Sequence, residues 1–276
     1  MTDNASQLRS KAFLLPVEDL DFLLRDEVRP MRFALEYSKA ELTLRDWGVR
    51  STIVVFGSAR IPSPEQAQAW AESARTVAEI EYAEKRKAQS VYYEQARLFG
   101  RIASERGGAL TQQDGLRDNV IATGGGPGIM EAANRGASEA GAPSIGFNIT
   151  LPHEQDPNPY STPDLTFRFH YFGMRKMHLA MRANALVVFP GGFGTFDELF
   201  EILTLEQTGK APPTPIVLFG RSYWQQVINF PALVEHETIA AVDLELFDYA
   251  DDAEEAWQTL VARGLKAHSP PEVAFP

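Results

Sequence analysis

Two rhythms of apolar and polar positions divide the chain. Short apolar runs recur at Ser51–Phe56 (STIVVF), Asn119–Thr123, Pro143–Phe147, Leu165–Phe169, Ala185–Phe189 and Pro215–Phe219. Runs of this length, bounded by glycine or proline and rich in β-branched residues, predict strands buried on both faces of a sheet. Between them apolar residues recur at helical spacing. Helices are predicted over Ile129–Ala140, stopped by Gly141, and over Met174–Ala183, Phe196–Gln207, Tyr223–Val234 and Ala253–Ala262. Strands that alternate with helices predict an α/β fold with a parallel sheet covered on both faces. Ligands of such sheets sit beyond the carboxyl ends of the strands, at a switch point.

Three stretches depart from this alternation. Val17–Trp47 carries Leu20, Leu23, Leu24, Val28, Met31, Leu35, Leu42 and Leu44 at helical spacing. This predicts one or two amphipathic helices, docked on the core or on a partner subunit. Ser63-Pro64-Glu65 reads as a capped helix start, and helical composition then runs to Ile102. That is far beyond an average helix of about 11–12 residues, so the charged stretch Glu79–Lys87 is read as an insertion or a helix break. Thr150–Pro163, rich in Pro, Asn and Asp, predicts a long loop. The expected organisation is an N-terminal helical extension (1–50), an α/β domain (51–268) and a loosely held tail (269–276).

Composition narrows the function. The 276 residues are 44% hydrophobic and contain no Cys, which excludes disulfide and thiolate chemistry. No apolar run approaches the roughly 18 residues that a bilayer demands, and the first residues lack a secretory pattern, so a cytoplasmic location is expected. A net charge of -11 disfavours nucleic acid and anionic membranes as partners. It leaves room for a small anion held at a helix N-terminus.

Two glycine-rich turns fall at predicted strand ends, Gly124-Gly125-Gly126-Pro127-Gly128 and Pro190-Gly191-Gly192-Phe193-Gly194-Thr195. Glycine lets the backbone bend with positive φ and approach a ligand, while N–H groups at the next helix start face an anion. A tight strand–helix turn would need small residues as well. Neither turn has the G-x-G-x-x-G dinucleotide pattern, and no G-x-x-x-x-G-K-[ST] occurs, which disfavours an NAD enzyme and an ATPase-type loop. Glu198 follows Thr195 by three residues, in the predicted first turn of a helix. Two roles are open to it: a capping-box partner of Thr195, or a carboxylate that orients water and stabilises positive charge on a sugar. Arg175 and Lys176 begin the preceding helix. Adjacent helical residues diverge by about 100°, so only one faces a ligand directly, and Arg175 is the choice for gripping phosphate or ribose. His153, His170 and His178 lack metal-ligand spacing, and no G-x-S-x-G is present. No metal or cofactor is expected.

The strings Gly124–Met130 (GGGPGIM), Arg175-Lys176 and Pro190–Glu198 (PGGFGTFDE), in this order, resemble the Lonely Guy (LOG) family, whose motif is PGGxGTxxE. The resemblance covers roughly residues 51–220. It implies a Rossmann-like, doubly wound sheet, here with extra N-terminal helices, and a homodimer or larger assembly. It also implies a phosphoribohydrolase, in which water releases a free base and ribose 5-phosphate from a nucleoside 5′-monophosphate. Plant members act on cytokinin riboside monophosphates, and bacterial relatives commonly accept AMP. By resemblance Arg175 and Glu198 are the catalytic pair. Gly191, Gly192, Phe193, Gly194 and Thr195 hold the phosphate, and Gly57, Ser58, Gly125, Gly126, Gly128, Met130 and Lys176 complete the substrate site. The label "lysine decarboxylase" often given to members finds no pyridoxal phosphate site here. The first fifty residues and the segment Glu65–Gly108 exceed a short family member, which leaves assembly and base preference open.

Overall fold

A computed structural model describes residues 3–110, 114–151 and 156–265. The strands are β1 (Thr52–Phe56), β2 (Val120–Thr123), β3 (Ser144–Ile149), β4 (Thr166–Phe169), β5 (Ala183–Val188), β6 (Ile216–Phe219) and β7 (Asp248–Ala250). They form one sheet in the order β4-β3-β2-β1-β5-β6-β7, with every pair parallel. The chain lays β1 to β4 outward in one direction, then returns to place β5 on the free side of β1. The doubly wound sheet therefore has its switch point between β1 and β5. Their register pairs Phe56 with Val188, which brings the two carboxyl ends level.

The helices are α1 (Ala5–Leu8), α2 (Leu20–Leu23), α3 (Arg29–Asp46), α4 (Pro64–Ser73), α5 (Val77–Arg106), α6 (Ile129–Glu139), α7 (Phe172–Met181), α8 (Phe193–Gln207), α9 (Arg221–Val227), α10 (Phe230–Glu235) and α11 (Ala253–Ala262). Because side chains of a strand alternate between faces, each strand feeds two cores. Val54, Phe56, Ile145, Phe147, Leu186 and Val188 meet Ala40 and Leu44 of α3, Leu179 of α7 and Leu199 of α8. On the other face Ile53, Val55, Ile121, Val187 and Phe219 meet Tyr93 and Phe99 of α5, Ile129 of α6 and Trp257 of α11. Burial on both faces is why these strands read as unbroken apolar runs.

The helical extension docks on the core through α3. Glu41 pairs bidentately with Arg182 at 2.6 and 2.7 Å, and Glu36 accepts the N–H groups of His170 and Tyr171. Ahead of it, Phe13, Leu14, Leu15, Val17, Leu20 and Leu24 remain exposed.

The long helical segment required one correction. Glu79–Lys87 is not a helix break, for it lies inside the 30-residue α5. The break is at Ala74–Thr76, where Thr76 accepts the N–H of Glu79 and Glu79 accepts that of Thr76. The predicted cap at Ser63 forms with Gln66 as its reciprocal partner. Among the described residues no helix is long and apolar enough to cross a membrane. The expected tail (269–276) and His153 lie outside the described residues.

Candidate functional site

The turns after β1, β2 and β5 meet at the switch point and are bonded to one another. The Ser58 N–H donates to the Pro190 carbonyl at 3.0 Å, and the Ser58 carbonyl accepts the Ile129 N–H at 3.2 Å. Close approach makes glycine obligatory at several positions. A methyl group on Gly57 would sit 2.6 Å from the Ile129 side chain, and one on Gly128 would sit 2.4 Å from the Ser58 carbonyl oxygen. One on Gly191 would strike the Thr195 hydroxyl at 2.1 Å. Gly128 also has φ +71°, a conformation that side chains disfavour.

The helix after β5 starts earlier than its sequence suggests. α8 begins at Phe193 rather than Phe196, and Gly192 is its N-cap. Two consequences follow. Glu198 lies in the second turn, so it is not a capping-box partner of Thr195. The Thr195 N–H is consumed by the Gly192 carbonyl at 2.9 Å, which removes it from the amides facing an anion. The N–H groups of Gly192, Phe193 and Gly194 have no acceptor among the described residues. The carbonyl of Gly191 is held by the Tyr223 hydroxyl, a contact that the sequence did not suggest. Phe193 is 92% exposed, with its N–H open at the start of α8.

Glu198 is 6% exposed at the base of the turn. Val54, Phe56, Leu179, Leu186 and Ile202, with the charged Lys176 and Glu201, line a small space beside it. Among the described residues nothing hydrogen-bonds its carboxyl group. Burial pushes its pKa up to about 7, against the opposing pull of Arg175 and Lys176. The two adjacent cations diverge. The Arg175 Nε donates to the Phe147 carbonyl at 2.8 Å, and the guanidinium lies against Gly124, where a methyl group would meet Nη2 at 2.3 Å. The Met130 sulfur lies at 2.8 Å from the same point. Burial lowers the pKa of Arg175, and Glu198 and Asp197 counter this, so it remains a cation. Lys176 instead binds Asp197 at 2.9 Å and Glu201 at 2.7 Å on α8. It fixes α7 to α8.

His178, one turn beyond Arg175, does not line the cleft. It is 1% exposed and packs against Tyr37, Phe147 and Phe169. Among the described residues no group of three or more acidic or histidine side chains is placed to hold a metal. Thr123, Asn134 and Asn158 are buried polar residues behind the turn after β2 that no sequence motif marks. They are scattered along the chain.

Residues 130–260 match the model of a protein family described as "Possible lysine decarboxylase". The probable cytokinin riboside 5′-monophosphate phosphoribohydrolase LOG4 of Oryza sativa subsp. japonica is 27% identical over 50% of this chain and 60% of its own length. The pyrimidine/purine nucleotide 5′-monophosphate nucleosidase of Escherichia coli K12 is 32% identical over 39% of this chain and 26% of its own. The chain thus matches less than two thirds of either relative. A molybdenum cofactor carrier protein from Chlamydomonas reinhardtii has a solved structure that is 21% identical, with a TM-score of 0.45 over 77% of this chain and 99% of its own. The ordered glycine turns, the family model over residues 130–260 and the phosphoribohydrolase relatives make this chain similar to the LOG family.

Proposed function

We propose that the protein hydrolyses the N-glycosidic bond of nucleoside 5′-monophosphates, with AMP or a cytokinin riboside monophosphate as substrate, to a free base and ribose 5-phosphate. The observation that carries this reading is Glu198: a buried carboxyl group, close enough to Arg175 for each to shift the other, on the helix that follows the glycine turn after β5. Groups with strongly perturbed pKa values in a cleft mark sites of chemistry.

The phosphate would sit on the open N–H groups of Gly192, Phe193 and Gly194, where the dipole of the 15-residue α8 favours negative charge. Arg175 would hold the sugar, with Ser58 and the turn Gly125–Met130 as the facing wall. As the bond from C1′ to the base nitrogen breaks, its electron pair leaves with the base, and positive charge builds on the ribose. Ionised Glu198 stabilises that charge and orients the water whose oxygen bonds to C1′. One proton of that water stays on the new C1′ hydroxyl, and the other passes by way of Glu198 to the nitrogen of the leaving base. A pKa of about 7 makes Glu198 a competent proton acceptor near neutrality. The relatives named as phosphoribohydrolase and nucleosidase support the same reaction class.

Incubation with AMP, followed by chromatography for free adenine, tests the proposal. Tight AMP binding without product would leave a nucleotide-binding module in its place. Glu198→Gln keeps the shape and removes the charge, so turnover should drop by at least ~100-fold, the low end of what one such group supplies. The wild-type rate should also fall below about pH 7, as Glu198 becomes protonated.

A further inference from the structure

The turn after β2 is held from behind by Asn158, which lies in the segment between β3 and β4 and is 6% exposed. Its backbone N–H donates to the Gly125 carbonyl at 2.9 Å. Its side-chain Nδ2 donates to the Gly126 carbonyl at 3.2 Å and to Asn134 Oδ1 at 3.0 Å. Its Oδ1 accepts the N–H groups of Tyr160 at 3.1 Å and Ser161 at 3.2 Å. Asn134 is equally committed. Its Oδ1 also accepts from the Thr123 hydroxyl at 2.7 Å, and its Nδ2 donates to Ser144 Oγ at 3.0 Å and the Ile145 carbonyl at 3.3 Å. Thr123 Oγ1 in turn accepts the Gly125 N–H at 2.9 Å. Both amides use two donors and two acceptors, so neither gains by flipping, and the network has one arrangement.

That arrangement dictates where the turn points its remaining donor. A trans peptide holds its C=O and N–H on opposite sides. With the Gly125 carbonyl drawn toward Asn158, the N–H of the same peptide, that of Gly126, is directed away from the 156–162 segment. It has no acceptor among the described residues. The turn cannot relax by gaining a side chain, since Gly125 has φ +71° and a methyl group there would lie 2.4 Å from Asn148 Nδ2.

We propose that Asn158 is a positioning residue for nucleotide binding: by fixing the peptide between Gly125 and Gly126, it presents the Gly126 N–H to an oxygen of the ribose 5-phosphate portion of the ligand. This rests on the nucleotide site proposed above, and it links the segment after β3 to affinity rather than to bond cleavage.

The test uses the full chain with Asn158→Ala and Asn158→Asp. The second keeps Oδ1 as acceptor and sets an oxygen against the Gly126 carbonyl and Asn134 Oδ1. Both are assayed with AMP below their melting temperatures. KM should rise at least tenfold while kcat stays within threefold. Inhibition by ribose 5-phosphate should weaken in parallel, and inhibition by adenine should not change. Unchanged KM and ribose 5-phosphate inhibition in a folded variant would overturn the proposal. So would a uniform loss that follows melting temperature alone, and so would failure of both variants to fold. Should wild type bind AMP without cleaving it, the hydrolase reading fails alone, and calorimetric affinities for AMP decide on Asn158. Absence of AMP binding by wild type overturns both.

Discussion

Glu198 is a carboxyl group buried at the expense of stability. The folded chain holds its proton up to about pH 7, against an ordinary value of 4.5. Between these values the folded state binds more protons than the unfolded state, so stability falls as pH rises through this window and stays reduced above it. At about 1.4 kcal/mol per unit, the full cost is at most about 3.5 kcal/mol. Glu198→Gln removes the cost along with the charge. The variant should therefore melt above wild type at pH 8 and close to it at pH 4.5, while losing turnover. Equal melting temperatures at pH 8 would mean that the carboxylate is better solvated than its burial indicates. The sequence marked this residue through its motif, but its environment was not legible. The apolar walls come from Val54 and Phe56 on β1, Leu179 on α7 and Leu186 on β5, brought together only by the sheet. The same holds for Asn134 and Asn158, whose partnership exists only once β3 and the turn after β2 lie side by side.

At the scale of elements, strands buried on both faces were readable because the sheet imposes unbroken apolar runs on them. β7 escaped because Asp248-Tyr249-Ala250 is a short edge strand with an exposed first residue. The break before α5 did have a signal, the Thr76/Glu79 capping box, which the charged stretch after it obscured. Those charges belong to the wet face of a helix that packs its small residues against α6. Gly100 and Gly136 make that packing possible. A methyl group on Gly136 would meet the Arg97 carbonyl oxygen at 1.9 Å, and one on Gly100 the Ala133 carbonyl oxygen at 2.3 Å. In an open helix Gly→Ala gains up to about 1 kcal/mol. Here overpacking should reverse the sign, and Gly136→Ala is expected to cost about 1–3 kcal/mol. Thermal melts should show a drop of several degrees. Gly173→Ala, on α7 with open space around it, should show no drop.

For the whole molecule, the N-terminal extension divides into two parts with different expected roles. α3 is part of the core: Ala40 and Leu44 are buried with the sheet, and Glu41 holds Arg182. The Arg182 carbonyl accepts both the N–H and the hydroxyl of Thr52, at 2.8 and 3.1 Å, so this contact reaches the first residue of β1. α3 also braces α7, the helix that carries Arg175, through Glu36 and through Arg32 on the Tyr171 hydroxyl. Deletion of residues 1–49 strips this cover from the sheet and should abolish cooperative melting, not merely reduce activity. Deletion of residues 1–24 removes the exposed Phe13, Leu14, Leu15 and Val17 but leaves α3, so the melting transition should survive. LOG-family resemblance implies an assembly, and the mass in solution should then be a multiple of the 30.6 kDa chain. A folded 1–24 deletion that falls to single-chain mass would assign the exposed apolar segment to the subunit interface. One that keeps the multiple would place that interface on the α/β body. Cooperative melting by the 1–49 deletion would show that α3 is an appendage, and that Arg175 is positioned by the sheet alone.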